Sequence, residues 1–295
     1  MGKIALTGAT GRLGSLVVHY LLDKGYPAND ITVIIRNHEK AGEFTRLGLE
    51  VRFGDYDDHE SLRQAFHNLQ RFLFISSPSA DDTHRIRQHA NVVEALRDAE
   101  VEHIIYTSLA FCEQMTIGLE HVHLATEHLI QTTSIPFTFL RNGFYMDTVI
   151  NSSLLDAVEA GELITSTNNG KMNVVMRSDL ALAAAHVLIE GKKHENQVYE
   201  LANPILFSYN DLAKSLSAHF GRTVHHRNVL PEEAYEQMIA AGASEEAADF
   251  IVYRFYDSIA KGEFNHSSRD LEMLIGQKPA SFNDAVKKLA AEYKQ

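Results

Sequence analysis

Three shortages in this 295-residue chain each remove a class of function. There is one cysteine, Cys112, so no internal disulfide framework can form and a reducing compartment is expected. Positive charge is scarce. The 27 Lys and Arg against 39 Asp and Glu leave a formal net charge of -12, which repels nucleic acid and anionic membrane alike. No apolar run approaches the roughly 18 residues of a membrane span. The opening MGKIALTGATG, interrupted by glycines, does not read as a secretory signal. The expectation is a soluble, cytoplasmic protein that engages neither nucleic acid nor membrane. Repeats, low-complexity tracts and obvious linkers are missing too. Histidines are plentiful but dispersed. His84, His89, His103 and His194 stand among charged residues and are expected at solvated or otherwise neutral positions.

What is present is an alternation. Hydrophobic (45%) and charged (22%) contents are those of an ordinary globular protein. Short β-branched runs, KIALT (3–7), ITVII (31–35), LEVRF (49–53), RFLFI (71–75), HIIYT (103–107) and FTFLR (137–141), predict strands. Between them lie segments of helical spacing at 13–22, 38–47, 59–66, 82–99 and 121–132. Strands alternating with helices imply right-handed βαβ crossovers, hence an α/β, Rossmann-like, doubly wound parallel sheet. After Arg141 the alternation stops. A helix is expected from about Met146 to Ala160, ended by Gly161, and TSTNNGK (165–171) reads as a hairpin or loop. Ser178 is the expected N-cap of DLALAAAHVLI. Short strands (VYEL, TVHHR) and helices follow. The expected division is a dinucleotide-binding domain over 1–145 and a smaller C-terminal α/β, substrate-binding lobe over 146–295, with about 172–195 packing back on the first.

KIALTGATGRLG carries the strongest signal. Gly8, Gly11 and Gly14 follow a predicted strand and open a predicted helix, with Thr10, Arg12 and Leu13 between them. A backbone close to a pyrophosphate tolerates no Cβ, and the helix N-terminus offers N–H groups and partial positive charge. Arg36 stands at the end of the second strand, where NAD-specific sites often place an acid. Arginine there can pair with a ribose 2′-phosphate, and Arg12 adds a second cation. NADP(H) is therefore expected, with NAD(H) the alternative. Asp55 and Tyr56 are expected beside the adenine. Ile75, Ser76 and Ser77, in ISSP, are expected along the ribose and nicotinamide.

GATGRLG, Arg36, GDYDD, LFISSP, HIIYTS, HLATEHLI, FTFLRNGFYMD and SSRDLEMLIGQKPASFNDAV occur in this order. Together they resemble the NmrA-like atypical short-chain dehydrogenase/reductases, and among them the branch that reduces quinones and triphenylmethane dyes. The resemblance implies an NADPH-dependent reductase, monomer or homodimer, with no metal or flavin. It also exposes a gap. Where most short-chain reductases carry Tyr and, four residues on, Lys, HLATEHLI offers His123 and Glu127. A carboxylate raises a neighbouring phenol's pKa, so Glu127 cannot do that lysine's work. Ketone chemistry is disfavoured. A quinone, whose product is a stabilised hydroquinone anion, or a cationic dye needs no such pair.

His123 is a candidate hydrogen-bond donor or weak acid, Glu127 its orienting partner, and Asn142 a contact for the acceptor oxygen or the carboxamide. Thr107 and Ser108 are expected to close the cofactor site. Gly143, Phe144, Tyr145 and Met146 are expected to form the pocket for a small aromatic or quinoid substrate. VYRFYDS (252–258) reads as core packing rather than pocket wall. His121 and His123 diverge on their helix, so no metal site is expected. The rival reading is a non-catalytic, dinucleotide-sensing regulator.

Overall fold

The β-branched and aromatic runs become one parallel sheet in the computed structural model, which describes residues 2–293. Its strands are β1 (Ile4–Thr7), β2 (Ile31–Ile35), β3 (Glu50–Phe53), β4 (Arg71–Phe74), β5 (His103–Leu109), β6 (Phe137–Asn142) and β7 (Gln197–Leu201). They lie in the order β7-β6-β5-β4-β1-β2-β3. β1 and β2 are buried at every position, as strands covered on both faces must be. The chain winds one way from β1 to β3, then crosses back to place β4 on the other side of β1. That reversal opens a crevice at the carboxyl ends of β1 and β4, where open α/β sheets bind ligands.

Helices α1 (Arg12–Asp23), α2 (Ala41–Arg46), α3 (His59–Ala65), α4 (Asp82–Asp98) and α5 (Glu120–Gln131) fill the crossovers. One sheet face packs on α1 and on α6 (Arg177–Glu190), whose Ala181, Ala184 and Ala185 allow close approach. The other face packs on α3, α4 and α5 through Leu62, Phe66, Val92, Leu96 and Ile130. A third core, built on Met146, Leu154, Val158, Leu212, Leu216, Ile259 and Val286, packs the later part of the chain against Leu109, Cys112, Met115 and Ile117.

Several expectations are corrected. α6 begins at Arg177 after an uncapped Met176, so Ser178 lies inside the helix. The first turn is instead tied by Asp179, whose carboxylate accepts from the Ala280 N–H at 2.7 Å. The helix expected over 146–160 is two, Met146–Val149 and Leu154–Ala160. Asn151 breaks it: its side chain donates to Thr148 O and accepts from Ser153 N, offering the backbone an alternative to helix. Of the two forms expected for TSTNNGK the loop is the one found, because Glu162–Thr165 pairs with His225–Asn228 while Lys171–Met172 pairs with Phe207–Ser208. VYEL does not found a separate sheet; it joins the main one as β7.

His89, His103 and His194 are buried, not solvated, because each finds partners that suit a neutral ring. His89 lies between the Ser77 N–H and Thr126 Oγ1, His103 bonds Thr138, and His194 bonds Tyr199. His84, partly exposed, pairs with Asp57. Among the described residues no helix is long and apolar enough to cross a membrane.

Candidate active site

The glycine loop closes on itself between β1 and α1. Gly8 adopts φ +67°, and a Cβ there would meet Ile75 at 3.2 Å. Gly14, one turn into α1, could not carry a Cβ at all, since it would lie 2.3 Å from the Gly8 carbonyl oxygen. Gly11 donates its N–H back to that carbonyl at 2.9 Å. No side chain caps α1, so its first N–H groups are left for an anion. A groove of about 400 Å³ runs from this loop across the carboxyl ends of the strands. Gly8, Thr10, Gly11, Arg12, Leu13 and Gly14 form its middle, because β1 lies between β2 and β4; Arg36 stands on the β2 side, and Ile75, Ser76 and Ser77 on the β4 side.

Two expected adenine contacts fare differently. Tyr56 lines the groove, and its hydroxyl donates to Ile75 O (2.8 Å) and is hydrogen-bonded to Thr7 Oγ1. It therefore braces β1 against β4, and burial raises its pKa. Asp55 is not among the lining residues. Its carboxylate closes its own turn by accepting from Asp57 N, and its N–H donates to Ser61 Oγ.

The groove opens into a second cavity of about 590 Å³, and Ser76 and Tyr145 line both. Thr107, Ser108, Asn142 and Gly143 form its sheet side, so Thr107 and Ser108 belong to this cavity rather than to the groove. Thr107 Oγ1 accepts from Ser76 N at 3.1 Å, fastening β4 to β5. Leu154, Leu163, Tyr209 and Met238 cover the far side. The rest of that wall is a π-helix, Phe250–Tyr256. In this geometry residues five apart share a face. Phe250 with Phe255, and Ile251 with Tyr256, therefore all reach the cavity, which 3.6-residue spacing would not allow. VYRFYDS is thus partly pocket wall, while Tyr253 points away and stacks on Tyr235. Six aromatic rings line the space, and among the described residues no Asp, Glu, Lys or Arg does.

The two unusual residues of α5 do not act as a pair. His123 lines the cavity with Nδ1 bonded to the Tyr106 hydroxyl at 2.9 Å. Burial lowers its pKa to about 3, so it is neutral and no acid near pH 7. Glu127 faces elsewhere: it takes a bidentate pair from Arg141 (3.0 and 2.8 Å) and the Ser108 hydroxyl at 2.5 Å. Tyr106, not Glu127, orients His123. Asn142 lines the cavity and is nine-tenths buried; its Oδ1 is fully enclosed and has no hydrogen-bond partner. Gly143 is glycine for packing, since a Cβ would strike Val175 at 2.9 Å and Leu201 O at 3.1 Å. Phe144 lines the cavity edge-on to Phe264, and Met146 is buried in the adjoining core instead.

Sequence reasoning missed four contributors. Arg177 lines the groove, stacks 4.0 Å over the Tyr145 ring and pairs with Asp147. Arg12 shares that carboxylate at 3.3 Å. Arg141 gathers Glu127, Glu113 and Glu200, which raises its pKa strongly. Tyr209 and Tyr256 come from the far wall. Arg177 and Tyr209 reach the site from positions remote in sequence, which no local pattern marks; Arg141 adjoins Asn142 but its carboxylate partners are distant, and Tyr256 was hidden in VYRFYDS by its reading as core.

Comparison with known proteins agrees with this geometry. A model of the NmrA-like family matches residues 1–287. Quinone oxidoreductase 2 of Escherichia coli is 34% identical over 97% of this chain and 98% of its own; its structure with NADPH superposes with a TM-score of 0.90. The triphenylmethane reductase of Citrobacter sp., solved with NADP(H), is 46% identical, covering 97% of this chain and all of its own, with a TM-score of 0.93. An NAD(P)H azoreductase of Xenophilus azovorans is 26% identical over 83% of this chain and 84% of its own.

Proposed function

This chain belongs to the NmrA-like family, and from that premise we propose that it is an NADPH-dependent reductase passing hydride to quinones or similar flat, conjugated acceptors. The carrying observation is the meeting of a glycine-cradled groove with an uncharged aromatic cavity at Ser76 and Tyr145. The cradle fits a dinucleotide, because Gly8 and Gly14 occupy places a Cβ would fill. When bound, the reduced nicotinamide supplies the hydride. The chain does the holding. The start of α1 binds the pyrophosphate, with Arg12 and Arg177 nearby. Arg36 takes the 2′-phosphate. Phe144 and Tyr145 stack on the acceptor, and the Asn142 amide contacts the acceptor or the carboxamide. Glu127, held by Arg141, keeps the Ser108 hydroxyl oriented.

A ketone would leave an alkoxide in this cavity with no Tyr–Lys pair to protonate it. A quinone leaves a delocalised hydroquinone anion, and a triarylmethyl cation leaves a neutral product. The six rings also suit such a cation through their faces, which favours dye reduction as the second reading. We place the enzyme in the cytoplasm, as a monomer or homodimer acting on small molecules; the net charge of -12 and the single buried Cys112 support this. The test is loss of reduced-nicotinamide absorbance with a naphthoquinone, NADPH and NADH run in parallel. Turnover with NADPH preferred is expected. Tight NADPH binding without turnover of quinones or cationic dyes would instead support a cofactor-sensing regulator.

A further inference from the structure

Resting on that reading, we infer that the ion cluster centred on Arg141 selects acceptors by charge, favouring cationic ones and refusing anionic ones. Arg141 on β6 stands in register with Ser108 on β5 and with Glu200 on β7. It donates to Glu200 (3.0 Å), to both oxygens of Glu127 on α5 (3.0 and 2.8 Å) and to Glu113 just after β5 (2.9 Å). One guanidinium against three carboxylates leaves two negative charges uncompensated. Among the described residues no Lys and no second Arg meets these carboxylates.

Stability alone does not ask for that excess. A buried arginine is served by one bidentate partner, and each further enclosed carboxylate costs desolvation. Glu200 is nonetheless kept and satisfied. Phe111 takes a left-handed backbone, φ +53°, and gives Glu200 its N–H at 2.7 Å.

Ser108 brings the excess charge to the cavity. Among the described lining residues, only its side chain is hydrogen-bonded to a carboxylate, Glu127 at 2.5 Å. Glu127, paired with Arg141 through both oxygens, is ionised, so Ser108 is the donor. What Ser108 leaves for the cavity is an oxygen backed by negative charge. The described wall carries no Asp, Glu, Lys or Arg, so little inside the space screens that field. Arg85, whose charge reaches His123, offsets at most one unit and leaves the sheet side negative. Arg12 and Arg177 belong to the groove, where the pyrophosphate meets them. The cluster itself binds nothing; its residues act through Ser108 and through space.

The charge balance of the reaction follows. Hydride transfer to a cationic acceptor makes it neutral and leaves the positive charge on the oxidised nicotinamide. The cluster therefore favours both ends of that step. A neutral quinone becomes an anion, which delocalisation makes tolerable. An acceptor already anionic is repelled on entry.

The experiment compares kcat/KM with NADPH for a cationic triarylmethane dye, a naphthoquinone and a naphthoquinone sulfonate. Salt at about 0.5 M shortens the Debye length to about 4 Å, which silences the surface charge and spares the buried cluster. The unsubstituted protein should rank them dye, quinone, sulfonate. Glu200→Gln, which keeps an oxygen for Arg141, should lower the dye-to-sulfonate ratio about fivefold. Glu113→Gln, whose parent side chain is 59% exposed and poses no folding risk, should lower it about twofold. No preference between charges in the unsubstituted protein, or an unchanged ratio in both variants, would overturn the inference. A second readout needs no turnover: the dye titrated into the protein with NADP⁺, followed by its visible band. Glu200→Gln should weaken that binding about fivefold, and unchanged binding would count against the cluster. Dye binding that weakens in this way, without turnover of any acceptor, would sink the reductase reading while leaving charge selection standing.

Discussion

His123 stands where short-chain reductases carry their tyrosine, and burial decides its state. A ring held near pKa 3 does not titrate in the working range, so quinone reduction is expected to show no inflection near pH 6.5 from this residue. A kcat/KM profile that bends there, and loses the bend in His123→Gln, would contradict this. Asn142 raises a different question, because the residue lines the cavity while its enclosed Oδ1 has no partner, an arrangement that costs stability and is kept for function. Asn142→Ala should lower kcat about tenfold while NADPH affinity changes little, as read by fluorescence titration. Arg36 is exposed at the mouth of the groove, and its worth depends on the phosphate it meets. Arg36→Glu should weaken NADPH binding about a hundredfold and NADH binding far less. Equal losses would mean that another group reads the 2′-phosphate.

The first turn of α1 shows how one element ties the fold to the site. A Cβ at Gly14 would meet the Gly8 carbonyl oxygen at 2.3 Å and Ala9 Cα at 2.9 Å, all backbone and unable to yield cheaply. Gly14→Ala should therefore open the phosphate loop. The expected cost is about 1–3 kcal/mol of stability by denaturant unfolding, with cofactor affinity falling more than tenfold. This position was legible in the sequence, as were β1–β6 and α1–α5 to within about three residues, because their periods of 2 and 3.6 are set by which face is buried. What stayed hidden was set by partners far along the chain. Asp179 could hold the first turn of α6 only because the Ala280 N–H arrives from another segment. VYRFYDS (252–258) read as core under α-helical spacing, whereas the π-helix Phe250–Tyr256 turns Phe255 and Tyr256 toward the cavity. His89 and His103 carry charged sequence neighbours yet lie on inward faces, where Ser77, Thr126 and Thr138 satisfy them.

Those inward histidines give the whole molecule a direction of pH sensitivity. Burial lowers His89 and His123 to about 3 and His103 to about 4, against an ordinary 6.5 in the unfolded chain. Between these values the unfolded chain binds protons that the folded one does not, so stability is complete above about pH 6.5 and is lost as pH falls toward 4. Each ring contributes up to about 1.4 kcal/mol per pH unit within that window. His89 couples the loss to the crevice. Its Nε2 accepts from the Ser77 N–H, so its proton sits on Nδ1, bonded to Thr126. A second proton on Nε2 would break the bond that shapes the ISSP turn and would face Arg85, whose charge already opposes it. Acid should thus loosen the cofactor groove together with the fold. Unfolding free energies measured by denaturant across pH 4–7 are expected to rise with pH. His89→Gln, less stable at pH 7, should show a slope shallower by about one proton. A parallel slope in the variant would place the acid sensitivity in the carboxylates instead, with His89 protonated alike in both states.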